Sequence, residues 1–261
     1  MNDLIENLLR RDRFIVAGGL LLVAAISWGY LFYGAGMGMS GVEMTRHSLM
    51  DMDMMGRPEW TPGYIALMFF MWWIMMIAMM LPSATPVILL AAAINRRATP
   101  TKQPYGSSAA FAAGYLLGWA VFSALAVLIQ WLLLENQYIS GMLRSTSNSL
   151  SAVLLIAAGA WQFTPWKQAC LRHCRGPVEW LTRHRAREPA GALMTGWTHG
   201  LFCLGCCWFL MVLLFVGGVM NLFWIAGLAV YVWMEKILPA GGALSWGMGV
   251  VLLVWGVLVA V

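Results

Sequence analysis

Charged residues are scarce in this chain. Only 10% of its 261 residues are Asp, Glu, Lys or Arg, whereas 61% are hydrophobic and the mean hydropathy is +0.74. Soluble domains carry about a quarter charged residues, so the composition excludes an ordinary soluble domain and a disordered chain. With only five cysteines, a disulfide-rich scaffold is excluded as well.

Motifs of common enzyme classes are also missing. The sequence has no glycine-rich phosphate loop, so we do not expect an ATP-driven pump. It has no Ser/His/Asp arrangement typical of a hydrolase. Linkers, low-complexity tracts and clear repeats are absent too. We therefore expect one integral membrane domain over residues 1–261, and not an enzyme.

Long apolar runs are what the sequence has in abundance. A transmembrane helix needs about 20 apolar residues, and seven stretches approach that length. They are residues 14–33, 64–94, 108–134, 150–163, 193–219, 222–237 and 243–261. The sequence predicts an all-α, polytopic helical membrane bundle of about seven transmembrane helices. A six-span variant would place the last helix differently.

The distribution of Lys and Arg predicts the orientation. With the N-terminus inside, the predicted outer segments hold only Arg46, Arg57 and Arg144, which leaves 13 of the 16 basic residues inside. This matches the positive-inside rule, and it explains the net charge of +5 without nucleic acid. We expect a multi-pass protein of the bacterial inner membrane with a cytoplasmic N-terminus. Its first span is long enough to be an uncleaved anchor.

The predicted outer loop, residues 34–60, is rich in methionine and carries seven of them. Thioether and imidazole groups suit the soft ion Cu(I). The candidate ligands for capture of the ion are His47, Met50, Met52, Met54 and Met55. The alternative is a short interfacial helix whose methionines face lipid.

The second predicted span combines a methionine row with two prolines. Met71, Met75 and Met79 are four residues apart and share one helix face. They are candidates for an intramembrane path along which a soft ion could step, and packing is the alternative. Pro82 and Pro86 predict a proline-broken helix, in which Pro82 lines a cavity; a simple kink is the alternative.

All five cysteines fall into two clusters, each with a histidine at helical spacing. The candidate metal ligands are Cys170, His173 and Cys174 in the predicted inner loop 164–189, and His199, Cys203, Cys206 and Cys207 in the fifth span. Such spacing places the side chains of each cluster on one helix face. The pattern favours a soft metal over thiol redox chemistry or packing. Both clusters could form one site only if Cys170 enters the membrane or the fifth span starts later.

Two adjacent ionisable residues, Glu235 and Lys236, lie at the predicted inner end of the sixth span. Ionisable residues at membrane depth indicate a functional site by default. An interfacial ion pair is the alternative.

Several sequence blocks resemble one known family. They are Trp-Ile-Met-Met-Ile-Ala-Met-Met-Leu-Pro-Ser (73–83), Gly-Tyr-Leu-Leu-Gly-Trp (114–119), Trp-Gln-Phe-Thr-Pro-Trp-Lys-Gln-Ala-Cys-Leu-Arg-His-Cys-Arg (161–175), Gly-Cys-Cys-Trp (205–208), Gly-Val-Met-Asn (218–221) and Glu-Lys (235–236). These blocks look like the signature of a bacterial domain-of-unknown-function family described as predicted metal-binding integral membrane proteins. The resemblance covers most of residues 60–238. It implies a helical inner-membrane protein and a metal, but no reaction and no ligand set.

Together these patterns favour a protein that binds or moves Cu(I) across or within the membrane, although another soft transition metal would suit the same ligands. The expected partners are the lipid bilayer, the metal ion, and a membrane protein or a second copy of the chain. Two other hypotheses remain. One is a membrane thiol–disulfide oxidoreductase using Cys170/Cys174 or Cys203/Cys206, and the other is a non-catalytic subunit or scaffold of a larger complex.

Overall fold

The structure is a computed structural model that describes residues 2–50, 58–98, 105–141, 143–183 and 188–261. Within these ranges it is all-α, as predicted, and its β-pairing is limited to one isolated bridge between Ile139 and Ser145. The helices are α1 (Asn2–Phe32), α2 (Gly41–Leu49), α3 (Pro62–Ala98), α4 (Tyr105–Glu135), α5 (Asn148–Gln162), α6 (Pro165–Arg175), α7 (Val178–Arg183), α8 (Pro189–Val212), α9 (Leu214–Gly217), α10 (Leu222–Ile237) and α11 (Gly241–Ala260).

Within the described ranges, five helical segments are long and apolar enough to cross a membrane. They are Arg13–Phe32, Pro62–Asn95, Gly106–Glu135, Pro189–Gly217 and Gly241–Ala260. Two further predicted spans correspond to α5 and α10, which have 15 and 16 residues. At about 1.5 Å per residue these helices are about 22 and 24 Å long, short of a ~30 Å hydrocarbon core. The structure therefore supports a helical membrane protein with five membrane-length helices, and the count of seven is not confirmed.

The second span is not broken, so that prediction was wrong. α3 continues through Pro82 and Pro86 as one helix of 37 residues. Each proline removes only one N–H donor, and the remaining helical hydrogen bonds persist. Between the prolines, the Ser83 hydroxyl donates to the Met80 carbonyl at 2.8 Å, and the Thr85 hydroxyl donates to the Leu81 carbonyl at 3.0 Å. Hydroxyl groups of this kind are a usual accompaniment of proline in membrane helices.

Close approach of α4 and α8 depends on glycine. A Cβ at Gly114 would lie 2.0 Å from the Leu193 carbonyl oxygen, and one at Gly196 would lie 2.0 Å from the Phe111 oxygen. Small residues let the backbones of membrane helices approach closely, which is how such helices gain packing energy without a hydrophobic driving force. This contact holds α8 against α4 just before the part of α8 that carries His199 and the cysteines.

Part of the predicted outer loop forms the helix α2. Ser40 begins α2 with a capping box, in which its hydroxyl accepts from the Glu43 amide and its own amide donates to Glu43 Oε2 at 2.9 Å. These hydrogen bonds lower the pKa of the Glu43 carboxyl. Met44 lies in the hydrophobic core, and the Thr45 hydroxyl accepts from the Leu222 amide at 2.9 Å. Met44 therefore packs as a core side chain, although it lies in the predicted outer loop.

The predicted inner loop 164–189 also contains helices within its described residues. Thr164 caps α6, its hydroxyl accepting from the Lys167 amide, and Pro165 follows at the first helical position. Leu171 of α6 and Leu181 of α7 are buried. Because α6 has an apolar side, it packs along α8 and does not extend into solvent as a loop.

Candidate metal centre

The two cysteine clusters lie together. The buried Cys174 thiol at the end of α6 lies close to the thiols of Cys203 and Cys206 on α8. The ring of His173 stacks on that of Phe202, with centroids 3.9 Å apart. α6 and α8 thus bring into one buried region groups that are about 30 residues apart in sequence.

This arrangement decides between the two geometries that the sequence left open. α8 begins at Pro189, so Cys203 lies about 21 Å along it by helical rise. α6 packs beside this middle part of α8, and Cys170 Sγ lies 2.8 Å from where a Cβ on Gly205 would be. Gly205 therefore makes room for Cys170. α6 thus packs against the middle of α8, and the helix itself begins before residue 193 and not after it.

A thioether from α3 joins the thiols. Cys207 Sγ lies 3.9 Å from Met80 Sδ, and both side chains are fully buried. The thiols of Cys206 and Cys207 each donate to the Cys203 carbonyl at 3.0 Å. We call Met80, Cys174, Cys203, Cys206 and Cys207 the sulfur cluster. Met80 was missing from the predicted site residues, although its position in the Met-Leu-Pro-Ser block could have drawn attention to it.

Polar groups from three other helices surround Cys203. The Lys236 ammonium donates to Cys203 Sγ at 3.0 Å and to the Ser83 hydroxyl at 2.9 Å. The Tyr115 hydroxyl lies 3.1 Å from the same sulfur. Cys203 is therefore the cysteine at which α3, α4, α8 and α10 meet. Tyr115 was not among the predicted site residues, because only the tertiary fold brings it to Cys203 and brings Ser83 to Lys236.

Glu235 and Lys236 do not pair with each other. Successive helix residues project about 100° apart, so the two side chains face different neighbours. Glu235 Oε1 forms an ion pair with Lys167 Nζ at 2.6 Å, and neither side chain is accessible to solvent. Tyr231 donates to the same carboxylate oxygen at 3.2 Å, and Lys167 also donates to Gln162 Oε1. This second polar centre ties α5, α6 and α10 together next to the sulfur cluster.

His199 is buried one helical turn before Cys203. Its ring packs near those of Phe111, Tyr115 and His173, with centroid distances of 6.0, 5.9 and 5.9 Å. Its Nδ1 makes no hydrogen bond. A buried imidazole nitrogen without a partner is unusual in a protein interior. Nδ1 of His199 is therefore an unpaired candidate metal ligand beside the sulfur cluster.

The other predicted site residues lie elsewhere. Met71, Met75 and Met79 are packed in the hydrophobic core with at most 1% exposure, and Pro82 is half-buried. In the predicted outer loop, Met50 is exposed and His47 is half-buried with an Nδ1 that lacks a hydrogen bond. Met52, Met54 and Met55 lie outside the described residues.

The donor types in the sulfur cluster fit a soft monovalent ion. Thiolate and thioether ligands together suit Cu(I), whereas a structural zinc site needs four ligands arranged as a closed tetrahedron. Among the described residues, no three His, Cys, Asp or Glu side chains are already arranged as a metal site. Two thiols and the Met80 thioether could nonetheless converge by side-chain rotation, because their sulfur atoms already lie on facing helices.

Fold and site together define a helical membrane protein with a buried cluster of soft donors. Comparison with known families matches residues 69–259 to PpoB2, described as a copper chaperone. The match covers more than half of the chain, so this chain belongs to the PpoB2 copper chaperone family. It includes every cysteine and both polar centres, but begins after the outer loop. Neither the comparison with curated proteins nor that with solved structures gives a match.

Proposed function

We propose that this protein is a membrane-embedded chaperone whose cargo, Cu(I), is held in the sulfur cluster. The observation that carries the proposal is the meeting of thiols from α6 and α8 with a thioether from α3 in a buried region. The copper chaperone description of the family supports copper as the cargo. Burial keeps water away from an ion that is easily oxidised, and soft donors retain it without a closed, rigid cage.

The route of the ion is part of the same proposal. His47, Met50, Met52, Met54 and Met55 would collect Cu(I) on the outer side of the bacterial inner membrane. Met71, Met75 and Met79 would offer soft positions on α3, the helix that also carries Met80. The cysteines and His199 would then receive the ion. Support comes from donor chemistry and from the position of Met80 one residue after Met79 on that helix.

The orientation can be tested with a matched pair of exposed positions. In a Cys170→Ser background, we expect a membrane-impermeant thiol reagent to label Ser149→Cys in intact cells. It should label Thr182→Cys only after the cells are opened. Both positions are solvent-exposed in the structure, at the start of α5 and the end of α7. The reverse labelling pattern would overturn the cytoplasmic N-terminus that the 13 inner basic residues predict.

Met80→Leu tests the contribution of the thioether. Leucine keeps the apolar volume but removes the sulfur, so we expect a fall in Cu(I) affinity of about tenfold, or ~1.4 kcal/mol. The measurement is competition with a chromogenic Cu(I) chelator in detergent under reducing conditions. Met68→Leu is the control, because Met68 is equally buried on the same helix but lies about three turns from the sulfur cluster. Equal affinities for the two variants would remove Met80 from the site.

Thiol–disulfide exchange is the second candidate function, favoured by the contact of Cys174 with Cys203 and Cys206. In the structure all five cysteines are free thiols. Under this alternative, the purified protein would bind no Cu(I) and would cycle between a dithiol and a Cys174–Cys203 or Cys203–Cys206 disulfide. Mass mapping of alkylated cysteines before and after reduction distinguishes the two functions.

A further inference from the structure

Lys236 places a positive charge inside the sulfur cluster. The residue is 92% buried, and its ammonium lies 3.0 Å from Cys203 Sγ and 2.9 Å from Ser83 Oγ. Transfer of an uncompensated ammonium into a low-dielectric interior is costly, so a buried charge requires a counter-ion. Of the two groups that accept from Lys236, only Cys203 can carry a negative charge, as a thiolate.

Other charges close by are already balanced. Glu235 is the neighbouring carboxylate on α10, and it pairs with Lys167 at 2.6 Å. Tyr115 and Ser83 are polar but neutral contacts. The thiolates of the sulfur cluster are therefore the groups that balance the positive charge of Lys236.

Charge counting then favours one class of ion. When one Cu(I) binds to the Cys203 thiolate and to a second thiol of the cluster, one proton leaves the second thiol for solvent or for the donor of the ion, and the resulting bis-thiolate complex has a net charge of −1. The Lys236 ammonium brings the total to zero. A divalent ion on the same two thiolates would form a neutral complex. The charge of Lys236 would then have no counter-ion and the total would be +1, which low-dielectric surroundings disfavour.

We propose that Lys236 is the counter-charge of the copper-bearing thiolates and thereby a specificity-determining residue that makes the sulfur cluster prefer a monovalent over a divalent soft ion. This inference rests on the proposed function and goes beyond it, because it assigns the choice of ion to a residue that is not a ligand. Lys236 acts through the field at Cys203, so it is a positioning residue and needs no bond to the metal.

The experiment compares Cu(I) with Zn²⁺ in the full-length protein in detergent. Lys236→Met and Lys236→Gln both remove the charge, and Lys236→Gln also keeps a hydrogen-bond donor near Ser83. We expect either variant to lower Cu(I) affinity by on the order of a hundredfold while Zn²⁺ affinity stays the same or rises. Lys236→Arg should keep the Cu(I)-to-Zn²⁺ preference of the wild type, because it keeps the charge.

Ser83→Ala is the matched control. It removes the other acceptor of Lys236 without changing any charge, so the preference between the ions should not move. A purely structural role of Lys236 predicts equal losses for both ions, and that result, or an unchanged ratio in both neutral variants, would overturn the inference alone. If the wild type itself binds no Cu(I), the proposed function fails, and this inference fails with it.

Discussion

Cys203→Ser is expected to remove one full equivalent of bound copper. Cys203 is the cysteine that contacts Cys174, Lys236 and Tyr115 at once. Serine is nearly the same size but is a hard, poorly ionised donor for Cu(I). The metal content of protein purified under reducing conditions, measured by elemental analysis, checks this result.

Cys174→Ser and Cys170→Ser form the decisive pair of controls. Both cysteines are on α6, four residues apart, but Cys174 is buried next to the thiols of Cys203 and Cys206, whereas Cys170 is half-buried and rests against Gly205. We therefore expect Cys174→Ser to lose the same equivalent and Cys170→Ser to keep it. Full copper content in the Cys203 and Cys174 variants would show that the cysteines only fill space.

Glu235→Ala is expected to be the most destabilising single change at the second polar centre. Removal of one partner from a buried ion pair leaves the other charge uncompensated, which typically costs about 3–5 kcal/mol. Here the charge left without a counter-ion is the Lys167 ammonium, which has no solvent access. Unfolding in mixed detergent, followed by circular dichroism, measures the change in the free energy of unfolding.

Glu179→Ala provides the contrast. Glu179 and Arg183 also form an ion pair at 2.6 Å, but about three quarters of each side chain is exposed. Exposed pairs contribute little because water screens them, so we expect no measurable loss of stability. The double variant Lys167→Met/Glu235→Leu should recover much of the loss, since an apolar pair leaves no buried charge. If Glu235→Ala were as stable as Glu179→Ala, the pair would not hold the helices together.

Local periodicity accounts for most of what could be predicted. The spans that became α1, α3, α4, α8 and α11 are visible as apolar runs because lipid-facing helices must be apolar along their length. The shared faces of Cys170, His173 and Cys174, and of His199 and Cys203, follow from helical spacing alone. The proline prediction failed because proline removes one donor, and a helix surrounded by protein tolerates that loss.

Membrane crossing by α5 and α10 was the weaker part of the prediction. Both are apolar, yet their 15 and 16 residues end near polar groups such as Gln162 and Lys236 that the structure keeps buried. A hydropathy value is an average over a stretch of sequence. It does not show which groups the polar side chains in the last helical turn contact. The sequence alone therefore does not decide whether such a short helix crosses the bilayer, and the structure does not confirm that α5 and α10 do so.

By itself, the sequence determined the all-α membrane class and the soft donors, because both depend on composition and on spacing within one helix. Only the tertiary structure decided that α6 packs against the middle of α8, that Met80 faces Cys207, that Glu235 pairs with Lys167, and that Lys236 meets Cys203. These contacts join residues up to 127 positions apart, as between Met80 and Cys207. Helical spacing carries no information on which faces of distant helices meet, since that depends on the packing of the whole bundle.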